Sequence, residues 1–255
     1  MLANSPSRQV KSVQKALELL GHLQEFGHAT PKQLTKELSL SKSSVHNYLA
    51  TLEMNGYVEN DDGMYRLGLR FLTHGSAAKS IIGNKRPITR AIGRLAEEFS
   101  QPIWWITEEN GRGYFIEGEA PDDASKMYGR LGKRSYLHTH APGKAILALC
   151  SRKYVERISE YHGLPEQTPR TTTDIDALQE ELTGIRNREF AVSEGENILG
   201  ILSVGTAFED GDGQRHAIGV FGHSRNFAGN RTNNIGRQLV SQVRELERIL
   251  ADGGQ

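Results

Sequence analysis

Residues 41–48 read Ser-Lys-Ser-Ser-Val-His-Asn-Tyr, a run of small polar groups with one cation that leads into an apolar-periodic segment. Hydroxyls and an ammonium on the first turn of a helix suit phosphate oxygens, and His or Asn just beyond suits base edges. Helix capping alone accounts for Ser41 and leaves the rest unexplained. A merely solvated helical face more often carries Glu and Lys at a spacing of four, whereas here Glu is absent until Glu53. The reading that follows places Lys42 with Ser41, Ser43 and Ser44 on phosphates, and His46 and Asn47 on bases. Lys32, Tyr48 and Arg66 complete the expected DNA-contact set, with Arg66 reaching a neighbouring phosphate from a hairpin.

A second group of residues carries chemistry of another kind. His138 and His140 flank Thr139, and two residues apart on a strand they would share a face and jointly ligate a metal. No third ligand is fixed by the sequence, and the competing assignment makes both histidines hydrogen-bonded groups near a helix start. Cys150 closes the apolar run KAILALC, where a thiol usually behaves as a small hydrophobe. The stretch GRLGK lacks the spacing of a phosphate-binding P-loop, and nothing places a leaving group between Glu194 and Glu196. No catalytic constellation assembles, so neither an enzyme nor a cofactor is expected. A metal- or redox-responsive regulator using His138, His140 and Cys150 is the alternative.

The elements that must position these residues follow from periodicity and breakers. Val13, Leu17, Leu20 and Leu23 predict an amphipathic helix, with Ala16 and Leu19 widening its stripe and Gly27 stopping it. Thr30-Pro31 starts a short second helix, and Ser41 a third that buries Val45, Tyr48, Leu49 and Leu52 before Asn55-Gly56. Two β-prone runs about Asp61-Asp62-Gly63 then form a hairpin. Three short helices and a hairpin make a winged helix-turn-helix. Leu67 to Gly83 reads as a connecting helix. Beyond it, a helix through Ile88, Ile92, Leu95 and Phe99 precedes strands about Asn110-Gly111. Helices over 151–161 and 174–188, strands broken by Gly-Asp-Gly, and a last helix through Ile235, Leu239, Val243, Leu246 and Ile249 follow. Mixed elements with an antiparallel bias indicate an α+β domain.

Composition sets the limits. The chain has 255 residues, 37% hydrophobic and 24% charged, enough for two ordinary domains. Lys plus Arg equals Asp plus Glu at 31 each, so no global field draws the chain to a polyanion and any such binding comes from a local patch. One cysteine excludes an intramolecular disulfide. The first residues lack the apolar centre of a signal peptide, and no apolar run approaches the roughly 20 residues that span a bilayer. A cytoplasmic location without membrane partners is expected.

Taken in order, SVQKALELLGHL, SKSSVHNYLATLEMNGYV, YRLGLRFLTHG, LHTHAPGKAILA and FAVSEGEN resemble an IclR-type transcriptional regulator over nearly the full length. The resemblance implies a winged helix over 1–72, a linker helix over 73–83 and a GAF-like effector-binding domain over 84–255. It also implies dimers or tetramers on palindromic promoter DNA, controlled by a small metabolite of a catabolic pathway. The effector would meet Gly129, Leu131 and Gly132 of a Gly-rich loop, Glu196, and Ser203, Gly219 and Phe221 on paired strands. Small residues on those strands are expected to leave room for it, with loop amides as contacts and Phe221 as an apolar wall. His138 stands at the family's histidine position. Asn47 stands where the family usually carries Arg, which favours adenine over guanine. Ser203 replaces the family's signature Cys, and Gly219 and Phe221 replace its serines. With Trp104 and Trp105, these departures imply a more apolar pocket.

Overall fold

The computed structural model describes residues 9–82, 86–121 and 128–252, which divide into two compact units, 9–82 and 86–252. The first unit comprises α1 (Lys11–Phe26), β1 (His28–Ala29), α2 (Pro31–Glu37), α3 (Lys42–Met54), β2 (Val58–Asp61), β3 (Met64–Leu67) and α4 (Arg70–Ser80). Local signals set these boundaries. Gly27 closes α1 at φ 80°, Thr30 and Gln33 form a capping box on α2, and the Ser41 hydroxyl accepts from Ser44 N at 3.1 Å to cap α3. Asp62 and Gly63 take φ of 49° and 84°, the left-handed pair that a two-residue hairpin turn requires.

Leu19, Leu23, Leu34, Val45, Leu49 and Val58 form the core of this unit. β1 pairs with β3 to give the order β1-β3-β2, and at two residues it is too short to show any period. The stripe expected on α1 needs correction: Val13 and Leu17 are 56% and 62% exposed. A helix turns one stripe inward, and Leu19 with Leu23 occupies it. The connecting helix runs Arg70–Ser80, so it begins before residue 73 and stops short of the expected end at 83, and it buries no residue. The Arg70 guanidinium donates to the Asn55 carbonyl at 2.6 Å, and the Tyr57 hydroxyl bonds His74 Nε2 at 2.7 Å, tying α4 to the start of the hairpin.

The second unit comprises α5 (Arg86–Phe99), β4 (Ile103–Glu109), β5 (Arg112–Glu119), β6 (Arg134–Tyr136), α6 (Ala141–Leu149), α7 (Arg152–His162), α8 (Ile175–Arg188), β7 (Ala191–Glu194), β8 (Ile201–Glu209), β9 (Arg215–His223) and α9 (Arg231–Asp252). The strands form one antiparallel sheet in the order β6-β5-β4-β9-β8-β7. α6 packs on β8 and β9 and against α8, while α5 and α9 pack together and against β4 and β8. Ile249 of α9, expected in the core, is exposed.

One row of the sheet sets where α6 can lie. Ala191, Gly205, Gly219 and Trp104 are successive cross-strand partners. A Cβ on Gly219 would stand 2.0 Å from Pro142 Cγ, and one on Gly205 would stand 2.6 Å from Pro142 N. The two glycines therefore admit the first turn of α6 onto bare strand backbone. The room expected at Gly219 is filled by Pro142. A large side chain there would displace the helix rather than occupy a cavity. Gly219→Ala should lower stability by about 1–3 kcal/mol by overpacking, read from the urea midpoint; an unchanged midpoint would show that this approach is not close.

Candidate DNA-reading face and effector pocket

α3 turns Val45 and Leu49 into the core, and this rotation leaves Lys42, Ser43, His46 and Asn47 exposed on its outer side. The Ser41 hydroxyl lies 3.0 Å from Ser43 Oγ and 2.8 Å from Ser44 Oγ, so the cap draws all three hydroxyls together on the first turn. Helix N-termini carry partial positive charge, which adds to Lys42 in favouring an anion. Lys32 is exposed on α2. Tyr48 is half-buried and packs against the core, so only part of its ring faces solvent. Arg66 is exposed on β3 and ion-paired with its cross-strand neighbour Glu59, which any phosphate would have to share or displace.

In the second unit the start of α6 gathers polar groups. The Ser203 hydroxyl accepts from Ala141 N at 3.0 Å, and His140 Nδ1 accepts from Gly143 N at 3.1 Å. These bonds satisfy two otherwise orphaned helix donors. Because Nδ1 accepts, the proton of neutral His140 sits on Nε2 and is donated to Ser135 Oγ at 2.8 Å. Burial pushes His140 down to about 3. Ser203 uses a lone pair on Ala141 and keeps its own proton for another acceptor.

Beside this helix start lies a narrow cleft whose free volume, about 10 Å³, is room for about one water. Its floor is the register row Ser193, Ser203 and Phe221, one step along the sheet from the glycine row. Tyr128, His140, Asn197, Ile198 and Ile201 form the walls. Its aromatic and aliphatic surfaces with a few convergent polar groups have the chemistry of a small-molecule site, and a ligand larger than water would have to part its walls.

The expected effector residues separate here. Ser203 and Phe221 line the cleft; Gly129, Leu131, Gly132, Glu196 and Gly219 do not. A Cβ on Gly129 would stand 2.6 Å from the Trp104 ring, so that glycine serves packing. Gly132 donates its amide to the Phe115 carbonyl at 2.8 Å and turns at φ 74°, so the amide is not free for a ligand. Leu131 is exposed. The Glu196 carboxylate accepts from Lys144 Nζ at 2.6 and 2.7 Å, and Lys144, 1% exposed, also donates to Glu181 at 2.7 and 2.8 Å. Neither tryptophan lines the cleft. Trp104 faces α6, and Trp105 faces the opposite side, where its indole donates to His216 at 3.3 Å.

The basis of the metal and redox alternative also changes. Residues 137–139 form a 3₁₀ turn and His140 caps α6, so the two histidines do not share a strand face. His138 Nε2 donates to the Pro165 carbonyl at 3.2 Å, and burial lowers His138 to about 4. Among the described residues, no group of three or more His, Cys, Asp or Glu is placed to hold a metal. Burial raises the Cys150 thiol to about 12, which keeps it protonated and unreactive. Sequence reasoning missed Tyr128, Ser193, Asn197, Ile198 and Ile201. Only Ser193 had a signal, the strand alternation that pairs it with Ser203.

Residues 12–62 match the IclR helix-turn-helix domain, and residues 80–248 match the C-terminal domain of bacterial transcriptional regulator IclR. Over 208 residues the chain is 33% identical to the probable HTH-type transcriptional regulator ArcR of Halobacterium salinarum, covering 79% of this chain and 78% of the relative. The crystal structure of Thermotoga maritima IclR aligns with a TM-score of 0.74 at 24% identity, covering 95% of this chain and 99% of that one. An IclR homolog from Microbacterium hydrocarbonoxydans, complexed with 4-hydroxybenzoate, aligns at 0.73 and 18% identity over 93% of this chain and 98% of that one. Among the described residues no helix is long and apolar enough to cross a membrane.

The depressed titration of His140 carries a pH signature. In the unfolded chain its imidazole titrates near 6.5, so between that value and about 3 the unfolded state takes up a proton that the fold refuses. The stabilisation from keeping His140 neutral is complete above pH 6.5 and is lost as pH falls towards 3. His140→Asn keeps an acceptor for Gly143 and removes this titration. The loss of stability on acidification should then be shallower by up to about 1.4 kcal/mol per pH unit, measured by urea unfolding from pH 7 to 4.5; an identical slope would assign the effect to other groups.

Proposed function

Because the chain belongs to the IclR family of bacterial transcriptional regulators, we propose that it binds palindromic promoter DNA as a homodimer or tetramer in the cytoplasm, under control of a small metabolite. The family is one of DNA-binding regulators, not of enzymes. The observation that carries the reading is the outer side of α3, where Lys42, Ser43, His46 and Asn47 are exposed with no carboxylate before Glu53. Inserted in a major groove, the first turn of α3 sets the register on phosphates. His46 and Asn47 then read bases, with Lys32 and Arg66 on flanking phosphates.

Self-association draws support from α1. Val10, Val13 and Leu17 form an exposed apolar stripe at spacing three and four, on the side of the helix away from Leu19 and Leu23. A second copy of the chain would cover it, and pairing two heads raises the specificity that one small module lacks. Metabolite binding is assigned to the cleft at the start of α6. Ser203 has a proton to donate there, the helix start favours negative charge, and Phe221, Tyr128 and Ile201 offer apolar surface. A small organic acid with an apolar body fits that chemistry. The 4-hydroxybenzoate complex of a protein with this fold supports the same class.

Two substitutions separate positioning from readout. Lys42→Glu should weaken binding to every DNA sequence and flatten the salt dependence by about one phosphate contact. Asn47→Ala should cost about 1–3 kcal/mol at the cognate site and little on random duplex. Fluorescence anisotropy over a salt series measures both. Native affinity and salt slope in the Lys42 variant would remove α3 from the interface, and equal losses on both DNAs would move Asn47 from bases to backbone.

A further inference from the structure

The exposed side of α9 carries Arg237, Ser241, Arg244 and Arg248 at intervals of four, three and four residues, which places them on one helical face. Arg188, from the last turn of α8, joins them around a groove with about 690 Å³ of empty space, open solvent included. Counter-charge is short. The Glu189 carboxylate is committed to Arg244, at 2.6 and 2.7 Å from one guanidinium nitrogen. Arg188 and Arg248 spend their Nε on the carbonyls of Phe190 and Arg244. Among the described residues Arg237 forms no hydrogen bond or ion pair.

Glu189 itself is held in an unusual conformation. It ends α8 at φ 65°, a left-handed backbone that residues with a Cβ rarely adopt, and its carbonyl accepts from Thr206 Oγ1 at 2.8 Å. That turn carries its side chain to the Arg244 guanidinium and leaves Arg188, Arg237 and Arg248 without a carboxylate.

We propose that this groove is a second ligand site, distinct from the cleft at the start of α6, and that it takes a small phosphate-bearing anion on Arg188, Arg237 and Arg248. Planar guanidinium forks match phosphoryl oxygens in pairs and are always charged. The free volume usable by a ligand, about 370 Å³, falls in the range of small-molecule sites. A DNA backbone is the poorer fit: Glu189 stands within the groove, and the exposed carboxylates of Glu245 and Glu247 interrupt the cationic stripe along α9. Bridging Arg188 to Arg237 and Arg248 would clamp the end of α8 to α9.

Calorimetry on the full chain at low salt, with pyrophosphate as the probe, tests this. The wild-type chain should bind pyrophosphate with an affinity that falls as salt rises. The double variant Arg237→Gln/Arg248→Gln, whose sites are exposed and whose melting should be native, should lose at least about tenfold. No binding by the wild-type chain, or native affinity in the double variant, overturns the site. Citrate bound as tightly as pyrophosphate overturns the phosphate assignment. Random duplex that loses affinity in the double variant, and that pyrophosphate does not displace from the wild-type chain, makes the groove a DNA contact and overturns the small-anion reading.

Discussion

The second unit is organised by the approach of Pro142 to the strand backbone at Gly205 and Gly219. Side chains normally hold a helix away from a sheet, and here two neighbouring Cβ atoms are missing where the helix begins. Gly143 admits a second close approach, to the 3₁₀ turn before the helix, since a Cβ there would stand 2.2 Å from the Leu137 carbonyl oxygen. With the start of α6 fixed, its free amides have fixed directions: Ala141 meets Ser203, and Gly143 meets His140. The cleft is the space left beyond that start, over the next row of the same sheet.

A buried charge extends this constraint to the wall of the cleft. Lys144 lies one turn into α6 and holds both Glu181 of α8 and Glu196 of the loop between β7 and β8. Removing one partner from such a group typically costs about 3–5 kcal/mol, because the remaining charge stays buried without compensation. Asn197 and Ile198, which face the cleft, follow Glu196 directly. The loop is anchored at its base by this ion pair, and beyond it Asn197 Nδ2 donates to Thr139 Oγ1 at 3.2 Å and the Gly200 carbonyl accepts from Ser224 N at 2.9 Å. A ligand that prefers one setting of that loop would shift its population by its difference in affinity for the two.

Much of the first unit was legible because its signals are local. Thr30-Pro31, Ser41, Asp62-Gly63 and Gly27 each act through their own backbone, so caps and turns emerge from a few adjacent residues. Direction was harder. The run on α1 holds two apolar stripes, and only packing in the shared core, with α1 against β1 and β3, decides that Leu19 and Leu23 go inward while Val13 and Leu17 do not. The cleft was half legible. Ser203 and Phe221 are direct cross-strand partners on paired strands, whereas Tyr128, Asn197 and Ile198 reach it from loops that no periodicity describes. Gly219 misled for a physical reason. A missing Cβ signals either open room or a close neighbour, and only the register with Gly205 under Pro142 distinguishes them. His138 and His140 misled likewise, since a short 3₁₀ turn and a helix cap carry no strand alternation.

Control of DNA binding through the cleft rests on one comparison. Genomic fragments retained by the purified chain identify its promoter, and the genes behind that promoter name the metabolites to try. Operator affinity is then measured with and without each metabolite, for the wild-type chain and for Ile198→Trp, which places an indole over the cleft from a partly exposed loop position. The wild-type affinity should shift with one small organic acid, and the variant should bind the operator natively without that shift. A variant that responds to the acid as the wild-type chain does would put the metabolite somewhere else.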